Sequence, residues 1–342
     1  MIVTGTDRAS VRPTVAARKR APRVMRLALA GCGTVGASLV SLIRRRQGEI
    51  EARHGLRFEL SRILVRDPSR DRGLPLVREL FTASADDFLQ ADADVVVEVI
   101  GGFDPAERVV RGALAAWRPV VTANKSLMAT RGPALQLLAD EHERVLQFEA
   151  AVGGGVPVVR TLRSELGGHG VRAITGILNG TSNFLLTALA DGVRYADALV
   201  NARARGFAEA DPSRDLQGLD AADKIRILAW LAWGVDPAAL PVQVESLPSD
   251  LEPLVRRAEA RSGVLKYLAG AERDDDGCVR AWVRPVILPS NHPFANVRDE
   301  ENAVHIDSES LGVLRLQGRG AGGSATASAV LGDLLEAAKA VP

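Results

Sequence analysis

The stretch Leu27-Ala28-Leu29-Ala30-Gly31-Cys32-Gly33-Thr34-Val35-Gly36 decides the fold of this chain. Its first four residues are an apolar run typical of a strand, and residues 37–53 have the amphipathic pattern of a helix. Glycines at the first, third and sixth positions of the turn permit a tight turn, close approach of a pyrophosphate and close helix packing. A turn of this kind between strand and helix predicts dinucleotide binding at the helix N-terminus. The cofactor contacts expected here are Gly31, Gly33, Thr34, Val35 and Gly36.

Apolar, β-branched runs alternate with helical patterns after this turn. We predict strands at residues 61–67, 94–100, 119–122 and 144–148, and a helix at residues 105–117. Strands that alternate with helices predict the α/β class, with a Rossmann-type, doubly wound and mostly parallel sheet.

A change of pattern after residues 153–155 predicts a second domain. A strand is expected at residues 172–178 and helices at 183–191 and 221–233, so an α+β domain would span about residues 156–319. The late glycine segment 318–323 opens another helical stretch, which suggests a return to the first domain. The first domain would then comprise residues 25–155 plus about 320–342.

The end of the second strand influences the choice between NAD and NADP. An acid there accepts hydrogen bonds from the ribose hydroxyls and repels a 2′-phosphate. Val65 is instead followed by Arg66, and a guanidinium can pair with that phosphate. We therefore expect NADP(H) to be preferred, while Asp67 leaves NAD(H) as the alternative.

Composition narrows the range of partners. The chain has 342 residues, of which 46% are hydrophobic and 25% charged, as expected for globular domains. A net charge of +1 gives no overall attraction to nucleic acid or to an anionic membrane, and no apolar run approaches the roughly 20 residues that span a bilayer. The two cysteines are far apart, which indicates neither a disulfide framework nor a metal cluster and favours a reducing cytoplasm.

Residues 1–24 are rich in arginine and contain Asp7 as their single acid. They have no apolar segment of the kind found in secretory signals. We expect a basic disordered tail, or a start codon assigned too early, with a nucleic-acid-binding arm as the alternative.

Only five of the 43 basic residues are lysines, so each lysine is informative. An ammonium can serve as a proton donor, whereas a guanidinium stays protonated. Lys125 ends the motif Thr-Ala-Asn-Lys, and Lys224 follows a run that is dense in acids. Asp220 and Lys224 are four residues apart, so on a helix the carboxylate can hold the ammonium. The pattern suggests a reductase with a lysine acid; an ordinary exposed ion pair is the simpler alternative.

The run from residue 202 to 224 resembles the signature of homoserine dehydrogenases position for position. The resemblance extends from about residue 25 to the end of the chain. It implies NADPH-dependent reduction of L-aspartate 4-semialdehyde to L-homoserine, a branch point toward threonine, methionine and isoleucine. Further segments that carry it are 31–36, 122–125, 148–153, 179–183, 292–293 and 320–322.

The resemblance also implies roles for individual residues. Lys224 would be the proton donor, Asp220 its partner and a substrate ligand, and Lys125 would lie between cofactor and substrate. Glu209 would bind the substrate ammonium group, and Asp215 would also lie in the substrate site. The further cofactor contacts expected are Ile100, Gly101, Gly206 and Gly322.

Relatives in this family suggest a cation site, an assembly state and a domain content. Sodium would bind the Glu149 side chain and the carbonyl groups of Val152, Gly154 and Val156. The second domain would bind substrate and form a homodimer. Many relatives carry a regulatory domain after the catalytic part, whereas this sequence ends at Pro342. We therefore expect a monofunctional enzyme without feedback inhibition through such a domain.

Three alternatives remain open at this stage. A semialdehyde dehydrogenase that forms a thioester would need an activated thiol, but Cys32 lies in the cofactor turn and Cys278 follows an acidic turn. A non-catalytic NADP-binding protein on the same fold would be expected to lack Lys224, Asp220 or Glu209. The same chemistry on a related amino-aldehyde would leave the motif unchanged.

Overall fold

The computed structural model describes residues 21–208, 211–248, 250–320 and 322–341, which form two six-stranded sheets and their helices. The strands are β1 (Arg23–Ala30), β2 (Leu56–Leu64), β3 (Phe81–Thr82), β4 (Val95–Glu98), β5 (Val120–Thr122), β6 (Leu146–Gln147), β7 (Val171–Ile177), β8 (Val242–Val244), β9 (Gly263–Arg273), β10 (Val279–Pro289), β11 (Glu301–Ser308) and β12 (Gly312–Arg319). The helices are α1 (Thr34–His54), α2 (Ala85–Gln90), α3 (Ala106–Ala115), α4 (Lys125–Glu141), α5 (Val158–Arg160), α6 (Gly180–Ala190), α7 (Tyr195–Ala204), α8 (Ser213–Leu216), α9 (Leu219–Trp233), α10 (Glu252–Glu259) and α11 (Gly323–Ala337). Short helical turns cover Arg78–Leu80, Glu149–Ala151, Thr161–Glu165, Pro293–Asn296 and Ala338–Ala340.

The first sheet has the strand order β3-β2-β1-β4-β5-β6, and all of its strand pairs are parallel. This order is that of the dinucleotide-binding Rossmann fold, so the predicted fold class is confirmed. The strand order reverses beside β1, and the loops at the carboxyl ends of β1 and β4 enclose the crevice where such folds bind ligands.

The structure corrects the start of the first domain. Residues 1–24 were expected to form a tail, but β1 begins at Arg23, and Arg23 and Val24 pair with Leu56 and Arg57 of β2. The Arg23 guanidinium also donates to the Val341 carbonyl at 2.6 Å, which ties the strand to the chain end. The remainder of the expected tail, residues 1–20, lies outside the described residues.

The second strand starts earlier than the predicted range of residues 61–67. Gly55 ends α1 with a φ of +64°, so β2 can begin at the next residue. Leu56 and Phe58 are buried while Arg57 and Glu59 are exposed, an alternation that identifies the strand. The strand ends at Leu64, before the predicted end.

The second sheet has the order β12-β11-β7-β9-β10-β8 and is antiparallel except for the pair β10 and β8. With the helices that pack on it, this sheet is the expected α+β unit. Helix α9 packs against α4 of the first unit and against β9 and β10 of the second, so one apolar core continues from one sheet to the other.

Helix α11 returns to the first sheet, where its apolar face packs on α1. A Cβ on Gly323 would lie 2.8 Å from the Thr34 side chain, so the two helices begin side by side. Among the described helices, none is long and apolar enough to cross a membrane.

Candidate active site

The predicted cofactor turn lies between β1 and α1. Gly31 has a φ of +102°, and a Cβ there would lie 2.7 Å from the Val99 carbonyl oxygen. A Cβ on Gly36 would lie 2.2 Å from the Gly31 carbonyl oxygen, whereas one on Gly33 would meet nothing within 4 Å. Two glycines therefore let the turn pack closely, and Gly33 leaves the backbone open to an approaching phosphate.

The N-terminus of α1 suits an anion. In the described structure Gly33 caps the helix without a side-chain hydrogen bond, and the first turn, which contains Thr34 and Val35, has no acidic residue. The N–H groups of this turn and the positive end of the helix dipole can therefore bind phosphate oxygens.

Arg66 lies two residues beyond the end of β2, at the carboxyl edge of the first sheet, and it is exposed. The Asp67 carboxylate accepts hydrogen bonds from the Ser69 N–H at 2.9 Å and from the Ser69 hydroxyl at 2.5 Å. These bonds lower the pKa of Asp67 and hold it within its own turn. The Arg66 guanidinium is thus exposed at this edge, where it could pair with an anionic group.

A buried acid that the sequence analysis missed shapes the loop after β4. The Glu98 Oε1 atom accepts from the backbone N–H groups of Ile100 at 2.7 Å and of Gly101 at 3.0 Å. Its Oε2 atom accepts from the Thr122 hydroxyl at 2.6 Å. Burial raises the pKa of Glu98. Glu98 thus holds the backbone of Ile100 and Gly101, two of the predicted cofactor contacts, and links the ends of β4 and β5.

Lys125 is the first residue of α4. Asn124 caps this helix, since its Oδ1 atom accepts from the Leu127 N–H at 3.1 Å and its Nδ2 atom donates to the Gly102 carbonyl at 2.7 Å. The carboxyl ends of parallel strands share one edge of a sheet, so Lys125, which follows β5, lies on the edge that carries the glycine turn. The motif of residues 122–125 therefore directs an ammonium toward the crevice.

Lys125, Asp220 and Lys224 form one cluster, called here the two-lysine cluster. The Lys224 Nζ atom lies 2.7 Å from Asp220 Oδ2, and Lys125 Nζ lies 3.0 Å from Asp220 Oδ1. Lys224 also donates to the Leu178 carbonyl at 2.6 Å. The predicted contact between Asp220 and Lys224 on one helical face is therefore present, and α4 brings the second ammonium to the same carboxylate.

The two-lysine cluster is electrostatically coupled. Asp220 is 5% exposed, and burial alone would raise its pKa. The charges of Lys224 and Lys125 outweigh burial and hold the pKa of Asp220 well below its usual range. Asp220 therefore stays ionised, and the cluster differs from an exposed ion pair.

Asn179 joins Asp220 to a second acid. Its Nδ2 atom donates to Asp215 Oδ1 at 2.8 Å and to Asp220 Oδ2 at 3.0 Å. Burial, and next the charge of Asp220, raise the pKa of Asp215. The predicted substrate residue Asp215 therefore lies in the same cluster, while Asn179 is a contact that the sequence analysis missed.

Gly206 and Gly322, two further expected cofactor contacts, both have a positive φ. Gly206 follows α7 with a φ of +72°, and Gly322 precedes α11 with a φ of +98°. A Cβ on Gly322 would lie 3.8 Å from the Phe207 ring, so the segment after Gly206 packs beside Gly322. Glu209, the expected ligand of the substrate ammonium, lies outside the described residues.

Comparisons with known proteins agree with this geometry. The family model "Homoserine dehydrogenase, NAD binding domain" matches residues 31–149, and the model "Homoserine dehydrogenase" matches residues 157–335. The chain belongs to the homoserine dehydrogenase family. It is therefore an oxidoreductase with a nicotinamide-binding Rossmann domain, and the reaction of this family is the reduction of L-aspartate 4-semialdehyde to L-homoserine in amino-acid biosynthesis.

Individual relatives cover nearly all of the chain. A homoserine dehydrogenase of Mycobacterium tuberculosis is 40% identical over 319 residues, which are 92% of this chain and 72% of the relative. The structure of a homoserine dehydrogenase from Thiobacillus denitrificans has a TM-score of 0.82 and 36% identity and covers 92% of this chain and 73% of that one. A hyperthermophilic archaeal homoserine dehydrogenase in complex with NADPH has a TM-score of 0.76 and 27% identity and covers 94% of this chain and 99% of that one.

The segment expected to hold sodium is a tight loop between Glu149 and α5. Val152 and Val156 are buried, and Gly154 has a φ of +60°. A Cβ on Gly154 would lie 2.5 Å from the Gly320 carbonyl oxygen, so the loop packs against the returning chain. Among the described residues no group of three or more His, Cys, Asp or Glu side chains could hold a metal. A cation here would need backbone oxygens, which suit a hard ion.

Glu149 has partners that the sequence analysis did not anticipate. Its two carboxylate oxygens accept from the N–H groups of Val159 and Arg160, each at 2.8 Å. Its own N–H donates to the buried Asp333 at 2.8 Å. Burial raises the pKa of Glu149. Asp333 already pairs with the Arg160 guanidinium at 3.3 Å. Each carboxylate oxygen of Glu149 keeps a lone pair that could bind a hard cation, so this residue fits sodium.

The cysteines do not provide an activated thiol. Both are free; Cys32 is buried and Cys278 is exposed. Burial raises the pKa of Cys32, although the charge of Arg72 opposes the shift. A thiol with a raised pKa is a poor nucleophile near neutral pH, so Cys32 is not suited to thioester chemistry.

Proposed function

We propose that this chain reduces L-aspartate 4-semialdehyde to L-homoserine with NADPH as the preferred cofactor and with Lys224 as the proton donor. The two-lysine cluster is the observation that carries the proposal. Asp220 holds Lys224 at 2.7 Å and Lys125 at 3.0 Å. One lysine comes from the helix after β5 and the other from the second unit, so the cluster joins the cofactor-binding side to the substrate side.

The residue types suit the reduction of an aldehyde. Bound NADPH supplies a hydride to the carbonyl carbon, and negative charge then develops on the carbonyl oxygen. The Lys224 ammonium donates a hydrogen bond to that oxygen and then transfers its proton to it. Lys125 stabilises the same developing charge. Asp220 orients both ammonium groups, one with each of its carboxylate oxygens.

The acids of the site suit the amino group of the substrate. Asp215 is partly buried, and its pKa is raised first by that burial and next by the charge of Asp220. A substrate ammonium group would offset that unfavourable charge. By the family resemblance Glu209 is its second ligand. The site thus favours an amino-aldehyde over a simple aldehyde, because a substrate ammonium group would offset the unfavourable negative charge of Asp215.

Other parts of the chain take supporting roles in this proposal. Arg66 binds the 2′-phosphate of NADPH. Ile100, Gly101 and Gly322 would contact the cofactor, and Gly206 would lie beside its nicotinamide. Sodium binds beside Glu149 and the loop from Val152 to Val156. The active form is a homodimer in the cytoplasm, where the two free thiols stay reduced.

The proposal is tested by homoserine oxidation at alkaline pH, with NADP and NAD assayed in parallel. We expect turnover by the wild type and a 10²- to 10⁴-fold lower kcat for Lys224→Ala, the range found for general acids. Lys339→Ala is the matched control, because Lys339 pairs with Glu336 on the surface of the molecule. A wild type that binds either nucleotide but does not oxidise homoserine would overturn the proposal.

A further inference from the structure

The Asn179 side chain caps α6 and also contacts two acids of the site. It is 4% exposed and precedes α6, with a φ of −128° and a ψ of 112°. Its Oδ1 atom accepts from the Ser182 N–H at 2.8 Å, and the Ser182 hydroxyl donates back to the Asn179 carbonyl at 3.1 Å. This reciprocal contact fixes the orientation of the side chain, because only the amide oxygen can face a backbone N–H group.

The amide nitrogen therefore faces the other way, toward two carboxylates. It donates one hydrogen to Asp215 Oδ1 at 2.8 Å and the other to Asp220 Oδ2 at 3.0 Å. A carboxamide has two N–H donors, and both are used. Asp220 Oδ2 is also the atom that contacts Lys224.

We propose that Asn179 is a positioning residue, whose amide group holds Asp215 and Asp220 at a fixed separation so that the proton donor and the ligand of the substrate ammonium face one substrate. This inference rests on the proposed function and assigns to Asn179 a role within that site. It acts through the two acids and does not exchange a proton itself.

An amide side chain suits this role better than a carboxylate or a hydroxyl side chain would. Two carboxylates at close range repel each other, and a neutral donor between them offsets the repulsion without adding charge. A carboxylate at position 179 would keep the helix cap but would place a third negative charge between the two acids. A serine would keep the cap oxygen but is too short to bridge two carboxylates.

The charged groups around this amide come from three elements. Asp215 belongs to α8, Asp220 and Lys224 belong to α9, and Lys125 belongs to α4. The two lysines already balance Asp220, so a new acid at position 179 would chiefly disturb Asp215. The loss of activity in Asn179→Asp should therefore depend on whether the introduced carboxyl group is ionised.

The experiment compares Asn179→Asp and Asn179→Ser with the wild type in homoserine oxidation between about pH 6 and 9.5. Loss of hydrogen bonds to charged groups should lower kcat/KM for homoserine by about 10- to 100-fold in both variants at alkaline pH. The Asn179→Asp defect should shrink as pH falls, because a protonated carboxyl regains one donor. The Asn179→Ser defect should not change with pH. The KM for NADP should stay within about twofold in both variants.

Controls separate this role from a structural one. Ser84 caps α2 by accepting from the Asp87 N–H at 3.2 Å, far along the chain from the site. Ser84→Ala therefore removes a cap and should leave kcat/KM and its pH profile unchanged. Circular dichroism tests whether each variant is folded.

Each outcome decides between distinct conclusions. A wild type without turnover overturns the proposed function. An active wild type with a defect below about threefold in either folded variant overturns the role of Asn179, as does an Asn179→Asp defect that is the same at every pH. If Asn179→Asp does not fold, Asn179→Ser decides by the size of its defect. If neither folds while Ser84→Ala does, Asn179 is a structural cap only.

Discussion

Asp220 contacts two ammonium groups with the two oxygens of one side chain. The spacing of four residues predicted its contact with Lys224, since both lie on one helical face. Lys125 reaches the same carboxylate from a helix of the other unit. An exposed pair of this kind contributes about 0.3 to 0.5 kcal/mol, but loss of one partner from a buried pair costs about 3 to 5 kcal/mol. The side chains of Asp220 and Lys224 are both largely buried, so their pair belongs to the second class.

At the same scale, Arg66 should decide cofactor preference. We expect Arg66→Ala to raise the Kd of NADP by about 10- to 100-fold, because a charge-assisted bond to the 2′-phosphate is lost. The Kd of NAD should change by less than about twofold. Fluorescence titration with both nucleotides measures the effect. Arg45→Ala, at an exposed position of α1, is the control. Equal losses for both nucleotides would show that Arg66 does not contact the phosphate.

Glu98 and Asn179 show which residues the sequence could not identify. Glu98 lies within the predicted strand 94–100 and had no predicted role, yet it is fully buried and bonded to two backbone N–H groups and to Thr122. Asn179 lies in a segment that carries the family resemblance, but the sequence did not predict that it caps α6 or that it joins acids from two later helices. The spacing of residues along one helix or strand predicts which residues share a face of that element. It does not predict contacts with residues that lie on other elements.

At the scale of elements, α4 and α9 form the contact that assembles the site. A Cβ on Gly132 would lie 2.7 Å from the Trp230 ring, and Trp230 stacks on Phe148 with ring centroids 5.7 Å apart. The Ser126 hydroxyl donates to Asp223 at 3.1 Å across the same pair of helices. The apolar pattern of residues 221–233 predicted a buried helix, but its partner helix was not predictable from periodicity. The close approach at Gly132 brings Lys125 within reach of Asp220.

The loop from Val152 to Val156 is the element that should respond to sodium. We expect the Tm of the wild type to be higher in sodium chloride than in choline chloride at equal ionic strength. At a sodium concentration ten times its Kd, binding should raise the free energy of unfolding by about 1.4 kcal/mol, which raises Tm by a few degrees. Glu149→Gln should abolish the difference, and the surface variant Glu336→Gln should keep it. Differential scanning calorimetry measures both. Equal Tm values in the two salts would refute a sodium site.

At the scale of the whole molecule, the chain completes the first sheet with β1 to β6, forms the second with β7 to β12, and returns to the first through α11. The glycine turn and the alternating elements predicted the first sheet, because parallel strands need helical crossovers and Rossmann turns have a distinct pattern. The late glycine segment predicted that the chain returns to the first domain, and α11 packs there on α1. The strand order of the second sheet was not predictable, since antiparallel strands pair across long loops. Its β8 joins in parallel at one edge, through three residues only.

The same sheet carries the surface on which we expect a second copy of the chain to dock. An open cavity of about 220 Å³ on this sheet is lined in part by Leu268, Phe294, His305 and Val313, and Val313 is 46% exposed. Light scattering should give the wild-type protein the molar mass of a dimer. Val313→Glu should shift the mass toward the monomer, because a carboxylate enclosed in an apolar interface is costly. Leu137→Glu, at an exposed apolar position on α4, should leave the mass unchanged. A wild type that is monomeric at micromolar concentration, or a Val313→Glu variant that remains dimeric, would exclude this surface.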